Sequence, residues 1–279
     1  MEYQWYPGHM TKTVRELKEQ MKLIDLVIEI ADARIPMSGR NPDLDSLAAN
    51  KVRLLILGKN DLADEAITNE WLAYFREQGL NPIAVDLRRN ADLKMLNSVI
   101  RESCKAKIER DIRRGIMNRP IRALVAGIPN VGKSTFINSF SGSSSVKTGN
   151  KPGVTKGRQW IRLKNGVELM DTPGLLWPKF EDPGVGEKIA LIGSIPDAIM
   201  NTEELSLALI RRLDADYPEL LSERYGGELP EDPAKALEQI AKFRGCLKKG
   251  GEADTEKAAS LILDDFRHGR IGRITLERP

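Results

Sequence analysis

Gly127-Ile128-Pro129-Asn130-Val131-Gly132-Lys133-Ser134-Thr135 is the stretch that decides the fold. It follows the apolar run Ala123-Leu124-Val125-Ala126, which reads as a buried strand. It precedes Phe136-Ile137-Asn138-Ser139-Phe140, which reads as a helix start. Strand, glycine-rich loop and helix in that order are the setting that a G-x-x-x-x-G-K-[ST] pattern requires if it is to hold phosphate. Gly127 and Gly132 let the backbone curl, so that N–H groups from Asn130 and Val131 to Thr135 turn inward as an anion nest. The helix N-terminus adds its dipole at the same spot. Lys133 can reach the β- and γ-phosphates, and the Ser134 hydroxyl can ligate Mg²⁺. A glycine-rich turn that binds nothing is the bland alternative, and the Gly-Lys-Ser-Thr run between correct flanks weighs against it. The chain is expected to bind a nucleoside triphosphate.

The rest of the composition sets limits. At 279 residues the chain suits one large domain or two modest ones. With 41% hydrophobic and 30% charged residues it can pack a core, which argues against general disorder. A formal charge of +3 does not by itself announce a nucleic-acid partner. Cys104 and Cys246 lie far apart and without metal-site spacing, so a disulfide framework and a zinc site are both disfavoured. Met1-Glu2-Tyr3-Gln4-Trp5-Tyr6 has no apolar core of a secretory signal, and no run approaches a membrane span. A reduced, cytoplasmic protein is expected, with no membrane and no DNA among its partners.

Upstream of the loop, Met10, Val14, Leu17 and Met21 fall at helical spacing after the turn signal Pro7-Gly8-His9. A strand is expected over 23–30, leading into Ala31-Asp32-Ala33-Arg34-Ile35-Pro36, where Asp32 and Arg34 read as a structural ion pair. A second strand, 52–57, runs into Gly58-Lys59-Asn60-Asp61, and a helix over 70–78 ends near Gly79. A third strand, 82–85, leads to Asp86-Leu87-Arg88-Arg89-Asn90, and 91–118 reads as helical. Between Lys105 and Arg122 stand seven basic residues against two acidic ones, a run that fits a solvated helix face as well as a phosphate-binding one.

Downstream, polar 141–145 and Lys151-Pro152-Gly153-Val154-Thr155 precede strands over 159–163 and 167–170, joined by Lys164-Asn165-Gly166, whose Asn-Gly is a hairpin signal. The second of these strands ends in Asp171-Thr172-Pro173-Gly174. Strands alternating with helices imply a mostly parallel sheet with helices on both faces, and ligands in such sheets sit beyond the carboxyl ends of the strands. The segments 58–61, 86–90, 127–135 and 171–174 all lie there and can converge on one ligand. Asp171 can hold Mg²⁺ through water, the Gly174 N–H can sense the γ-phosphate, and the Thr155 hydroxyl can swing in as a Mg²⁺ ligand. From about 187 onward the strand signal stops, and 203–213, 218–225, 233–244 and 255–268 read as short amphipathic helices. The expected division is 1–186, an α/β nucleotide domain with an N-terminal arm over 1–22, and 187–279, a small all-α domain.

The set of P-loop, switch threonine, Asp-x-x-Gly and a Gly58-Lys59-Asn60-Asp61 counterpart of the base-reading Asn-Lys-x-Asp resembles the translation-factor class of GTPases. Here the base-reading segment comes first, which is the order of the circularly permuted GTPases. Trp5-Tyr6-Pro7-Gly8-His9-Met10, Asp32-Ala33-Arg34-Ile35-Pro36 and Leu176-Trp177-Pro178-Lys179 narrow the resemblance to bacterial ribosome-biogenesis GTPases, over nearly the whole chain. The resemblance implies a circularly permuted P-loop GTPase domain that binds GTP and GDP, with Asp61 accepting from guanine N1 and N2 and Lys59 lying along the base. The backbone of Asp86 and Leu87 would close over the base. Gly58 stands where the family has asparagine, which is expected to weaken binding, and Asn60 is two positions away from the vacancy.

Leu175 occupies the place where many GTPases carry a water-orienting glutamine. Hydrolysis is therefore expected to be slow until a ribosomal particle stimulates it. The resemblance nominates His9, on the N-terminal arm, as the catalytic group beside Lys133 and Thr155. It also nominates Asn130 as a K⁺ ligand. It implies a monomer whose partners are the precursor of the large (50S) ribosomal subunit, its 23S rRNA and ribosomal proteins. The helical domain and the basic 105–122 region would meet the RNA by its phosphate backbone and shape. Because Gly58 and Leu175 both weaken the enzyme, the alternative is a nucleotide-sensing RNA-binding scaffold with negligible turnover; a P-loop ATPase or kinase gains a little from Gly58 but loses to Asp61 and the switch elements.

Overall fold

The computed structural model describes residues 17–117, 119–141, 159–163, 166–172, 180 and 182–279. Six strands, β1 (Leu26–Asp32), β2 (Val52–Gly58), β3 (Pro82–Val85), β4 (Ile121–Ala126), β5 (Gln159–Arg162) and β6 (Val167–Asp171), form one sheet among the described residues, in the order β3-β2-β1-β4-β6-β5. All neighbours are parallel except β5 on β6. Every residue of β1 is buried, as a central strand covered on both faces requires, and its run is apolar but for Glu29 and the terminal Asp32.

The two faces separate by alternation. Leu26, Ile28 and Ile30 of β1 join Leu54, Ile56, Ala123 and Val125 in a core closed by Leu96 and Ile100 of α3 (Asn90–Ser103) and Phe136 of α5 (Lys133–Ser141). Val27, Leu124 and Met170 face the other way, against Leu17, Met21 and Leu44 of α1 (Asp43–Leu47). On that side too, Leu55 and Leu57 meet Ile67, Trp71 and Phe75 of α2 (Glu65–Glu77). Register sets the functional edge: Asp32 pairs with Gly58, Gly58 with Val85, and Val125 with Asp171, so the strand ends that carry the expected loops lie side by side.

Beyond the sheet come α6 (Pro183–Leu191), α7 (Thr202–Asp216), α8 (Pro218–Tyr225), α9 (Pro233–Phe243) and α10 (Thr255–Arg267). Asn201, Asp232 and Asp254 cap α7, α9 and α10 by accepting from the N–H groups of Glu204, Ala234 and Lys257. The sheet-face core continues into these helices through Ile189, Leu209, Leu237 and Ile262.

Several elements differ from the sequence reading, which had no helix at α1. The expected helix over 91–118 is two helices, α3 and α4 (Lys105–Arg113), meeting at buried Cys104. The helix expected over 70–78 starts earlier, at Glu65, because the Asp64 side chain accepts from the Ile67 N–H and caps it. The sequence reading passed over α6, although Asp182 caps it and Pro183 sits at its first position. Residues 270–277, expected as nothing in particular, run back across the α/β side, with the Leu276 N–H donating to Arg34 O at 2.8 Å.

Candidate nucleotide site

The loop between β4 and α5 has the backbone that its sequence demands. Gly127 has φ of +153°, and a Cβ there would lie 2.3 Å from Ile30 O, so only glycine fits. Asn130 takes the left-handed conformation with φ of 63°, which asparagine tolerates better than most residues. The helical part holds this turn from outside. Asn130 Nδ2 donates to Gly193 O at 2.6 Å, and Ser194 Oγ to Pro129 O at 2.5 Å. Lys133 is buried and curls over the loop, donating to Gly127 O at 3.0 Å and Ile128 O at 2.7 Å. Burial pulls its ammonium down to about 8, against the opposing field of Asp171.

Asp171 ends β6. Burial pushes its carboxyl up to about 6, despite the charge of Lys133 and the Thr172 N–H. Among the described residues, its Oδ1 is a buried oxygen without a hydrogen-bond partner. Thr172 Oγ1 donates to Val125 O at 2.7 Å and fixes the strand end. An unpartnered carboxylate oxygen together with the Ser134 hydroxyl is a hard-oxygen donor set that fits Mg²⁺, which characteristically takes one or two protein oxygens and completes its shell with phosphates and water.

At the end of β2, Gly58 is buried and Lys59 adopts φ of 56°, followed by a 3₁₀ turn over Asn60–Leu62. A Cβ on Gly58 would stand 3.4 Å from Val131 O, so the base loop and the phosphate loop touch backbone to backbone. Lys59 Nζ lies 3.0 Å from Asp32 Oδ2. The expected Asp32–Arg34 pair is present, doubly bonded at 2.9 and 2.8 Å and fully buried. Burial would raise the Asp32 carboxyl, but Arg34 and Lys59 outweigh it and hold it well below the usual carboxylate range. Arg34 Nη1 also donates to Phe266 O and Arg267 O, both at 3.3 Å, at the carboxyl end of α10.

The base-side carboxylates are already engaged. Arg88 Nη2 donates to Asp61 Oδ2 at 2.5 Å, while Arg88 Nε donates to Asp86 Oδ1 at 2.9 Å. The Asp86 N–H donates to Asp92 Oδ2 at 2.8 Å, so a base contact from that amide would have to displace this bond, and Asp86 is better described as shaping the loop. Leu87 is buried, and a Cβ on Gly132 would lie 3.3 Å from its Cδ1, which places it between the two loops. The structure thus brings 58–61, 86–87, 127–135 and Asp171 to one edge of the sheet. His9, Thr155 and Gly174 lie outside the described residues.

The basic residues divide. Lys107 pairs with Asp111 at 2.6 Å, Arg119 with Asp25 and Arg122 with Glu168. Arg267, Arg270 and Arg273, basic in the sequence, are likewise engaged, with Asp197, Asp265 and the base loop respectively. Arg110, Arg113, Arg114, Lys248 and Lys249 remain exposed.

The family model described as a 50S ribosome-binding GTPase matches residues 122–225. A Bacillus cereus protein named ribosome biogenesis GTPase A is 44% identical over 280 residues, covering 100% of this chain and 95% of its own length. The chain belongs to the ribosome biogenesis GTPase A family. A Thermotoga maritima family member is 33% identical, over 99% of this chain and 94% of its own. The crystal structure of GNP-bound YlqF from T. maritima superimposes with a TM-score of 0.66 at 29% identity, covering 96% of this chain and 98% of that one. A GDP-bound YlqF gives 0.69 at 28% identity, covering 95% and 99%. The fold is that of a circularly permuted GTPase, with its base loop ahead of its phosphate loop. Arg88, bonded to Asp61, and Arg273, bonded to the Asn60 and Ala63 carbonyls, are neighbours of the base loop that the sequence did not disclose. For Arg88 the signal was a base two positions after Asp86, the same spacing that exposed Asp32 and Arg34.

Proposed function

We infer that the chain binds GTP and hydrolyses it to GDP and phosphate as an assembly factor for the large (50S) ribosomal subunit, docking on the subunit precursor, its 23S rRNA and ribosomal proteins according to nucleotide state. The observation that carries this reading is the pair of Lys133, buried with a lowered pKa, and Asp171, buried with an unpartnered oxygen, at one edge of a permuted GTPase sheet. Both groups carry a standing electrostatic penalty that a triphosphate and its cation would relieve.

In this reading the N–H groups over 127–135 cradle the phosphates, and Lys133 leaves the carbonyls of Gly127 and Ile128 to meet the β- and γ-phosphates. Ser134, Thr155 and Asp171 would hold Mg²⁺, which when bound would supply charge neutralisation at the phosphates. Asn130 has its amide nitrogen fixed by Gly193 O and offers its amide oxygen to K⁺, which would add charge stabilisation beside the phosphates. Asp61 accepts from guanine N1 and N2, Lys59 lies along the base, and Leu87 closes over it. Gly174 senses the γ-phosphate. His9 orients the attacking water once a ribosomal particle positions it, so turnover by the free protein is slow. Residues 1–186 form the GTPase domain and 187–279 the ribosome-facing domain of a cytoplasmic monomer. Exposed Arg110, Arg113, Arg114, Lys248 and Lys249 supply contacts to the RNA backbone.

The test is titration calorimetry of GDP, GTP and ATP in K⁺ and in Na⁺, followed by phosphate release with and without large subunits. Guanine binding without ATP binding, and turnover stimulated by the subunit, are expected. Guanine binding without stimulated turnover would favour the nucleotide-sensing RNA-binding scaffold. Absence of guanine preference would sink the base-site assignment. If His9→Ala leaves stimulated kcat unchanged, the role given to His9 is wrong.

A further inference from the structure

The base loop is held from outside by a segment far away in the chain. Residues 270–277 leave the end of α10 and lie along the outer surface of 60–64. Arg273 Nη2 donates to Asn60 O at 3.1 Å and Arg273 Nε to Ala63 O at 2.7 Å. Between them the Ile274 N–H donates to Leu62 O at 2.9 Å. Asp61 therefore sits in a turn whose carbonyls on both sides are gripped by two adjacent residues of a distant segment. Thr275 Oγ1 then accepts from the Asp64 N–H at 3.0 Å. The far end of the segment is anchored separately. The Glu277 carboxylate accepts from the N–H groups of Met37 and Ser38 at 2.7 and 2.8 Å and from Lys188 Nζ at 2.7 Å.

From the inner side the same loop is tied through the Lys59 ammonium, 3.0 Å from Asp32 Oδ2, and not through position 58. Gly58 has no side chain to reach the phosphate loop, and a Cβ there would stand 3.4 Å from Val131 O. Lys59 holds a left-handed φ that a residue with a side chain adopts at a cost of about 1 kcal/mol. Asp61 is partly exposed, and its partner Arg88 is 67% exposed, so solvent competes for that pair. The direction in which the Asp61 carboxylate points is thus set largely by the backbone of the turn, and the turn is set by Arg273 and Ile274. A carboxylate that must meet two donors on one base edge gains its selectivity from being aimed in advance.

We propose that Arg273 is a positioning residue for guanine recognition, holding the Asn60 and Ala63 carbonyls so that Asp61 presents its carboxylate to the base. This rests on the reading of Asp61 as the guanine acceptor. It makes a residue of the helical side part of the base site, replacing from outside the tie that a side chain at position 58 would give from within. By linkage, a partner that lifts 270–277 from the loop weakens guanine binding by the factor by which guanine weakens that partner.

The experiment compares dissociation constants of the full chain for GDP, IDP and XDP, together with thermal melts. IDP lacks the 2-amino group, so the GDP-over-IDP ratio reports the aim of Asp61. Arg273→Met is expected to weaken GDP roughly fivefold, by the loss of two carbonyl hydrogen bonds, and to narrow the GDP-over-IDP ratio by a similar factor. Arg273→Lys, with one donor in reach, should recover part of the ratio. Glu277→Gln should lower the melting temperature and leave the ratio alone. An unchanged ratio in Arg273→Met, whatever its melting temperature, overturns the proposal. So does an equal narrowing in Glu277→Gln, which would make the effect one of general loosening. Asp61→Asn should shift preference toward XDP, since an amide donor matches the xanthine 2-carbonyl. If it does not, the base-site reading fails, separately from Arg273.

Discussion

At the phosphate end of the site, Asp171 keeps a buried oxygen without a partner and Lys133 is folded onto loop carbonyls with its pKa pulled down. At the base end, Asp61 and Asp86 share Arg88, and the loop carbonyls are held by Arg273 and Ile274. One end holds charge in a state that water would relieve, and the other has its charges already matched. A ligand that relieves penalties binds tightly wherever it is admitted, whereas one that replaces existing pairs is chosen by how well it replaces them. On the proposed reading of the site, the difference assigns affinity to the phosphate end and selectivity to the base end.

The largest test of this division is Lys133→Ala. Loss of a buried, charge-assisted phosphate contact should weaken GTP by more than roughly a hundredfold in calorimetry, with the far-ultraviolet circular dichroism unchanged. If the loss is merely fewfold, affinity does not reside at the phosphate end.

The next test is a pH profile. The Asp171 carboxyl is raised to about 6, so the stability it contributes is full below the unfolded value near 3.8 and is lost as pH rises through 6. Lys133 is lowered to about 8, so its contribution is present above the unfolded value near 10.5 and is lost as pH falls through 8. Unliganded protein should therefore bear both penalties between pH 6 and 8. Asp171→Asn should gain on the wild type in melting temperature as pH rises from 4 to 6, by an amount on the order of 2 kcal/mol. A constant offset across that range would show that the carboxyl is not strained.

At the base end the effects are smaller. Gly58→Asn has room, since its Cβ would meet Val131 O at an ordinary 3.4 Å. It should tighten GDP by roughly three- to tenfold through one added hydrogen bond between the loops. Weaker binding would mean that the backbone contact cannot open for a side chain. The smallest effect is expected from Arg88→Ala, which leaves Asp61 without its competing guanidinium. Stopped-flow association of labelled GDP should speed up by roughly two- to threefold, the modest size following from the exposure of the pair. Slower association would make Arg88 a contact of the base instead of a competitor for Asp61.

What the sequence disclosed was local. The phosphate loop is contiguous and its residue types are dictated by backbone geometry, so Gly127 and Asn130 could be placed before any coordinates. The Asp32–Arg34 pair lies two positions apart and was equally legible. The strands showed because β1, β2 and β4 are mostly apolar runs, with Glu29, Arg53 and Arg122 as their interior exceptions. The break at Cys104 was hidden because both flanking helices carry the same amphipathic period. The engagement of Arg267, Arg270 and Arg273 was hidden because charge in a sequence does not say what it faces. The hold of Gly193 and Ser194 on the phosphate loop, and of 273–275 on the base loop, joins segments far apart in the chain without any periodic signal.

Arg273 and Asn60 are 213 positions apart. Ribosomes add roughly 5–20 residues per second, so the base loop emerges on the order of ten seconds or more before the side chain that steadies it has been made. The sheet core around β1 and β2 can collapse in that interval, but the turn at Asp61 waits for a contact of very high sequence separation. On the proposal made for Arg273, the choice of guanine is therefore completed late in synthesis, after the residues of the phosphate end have been made.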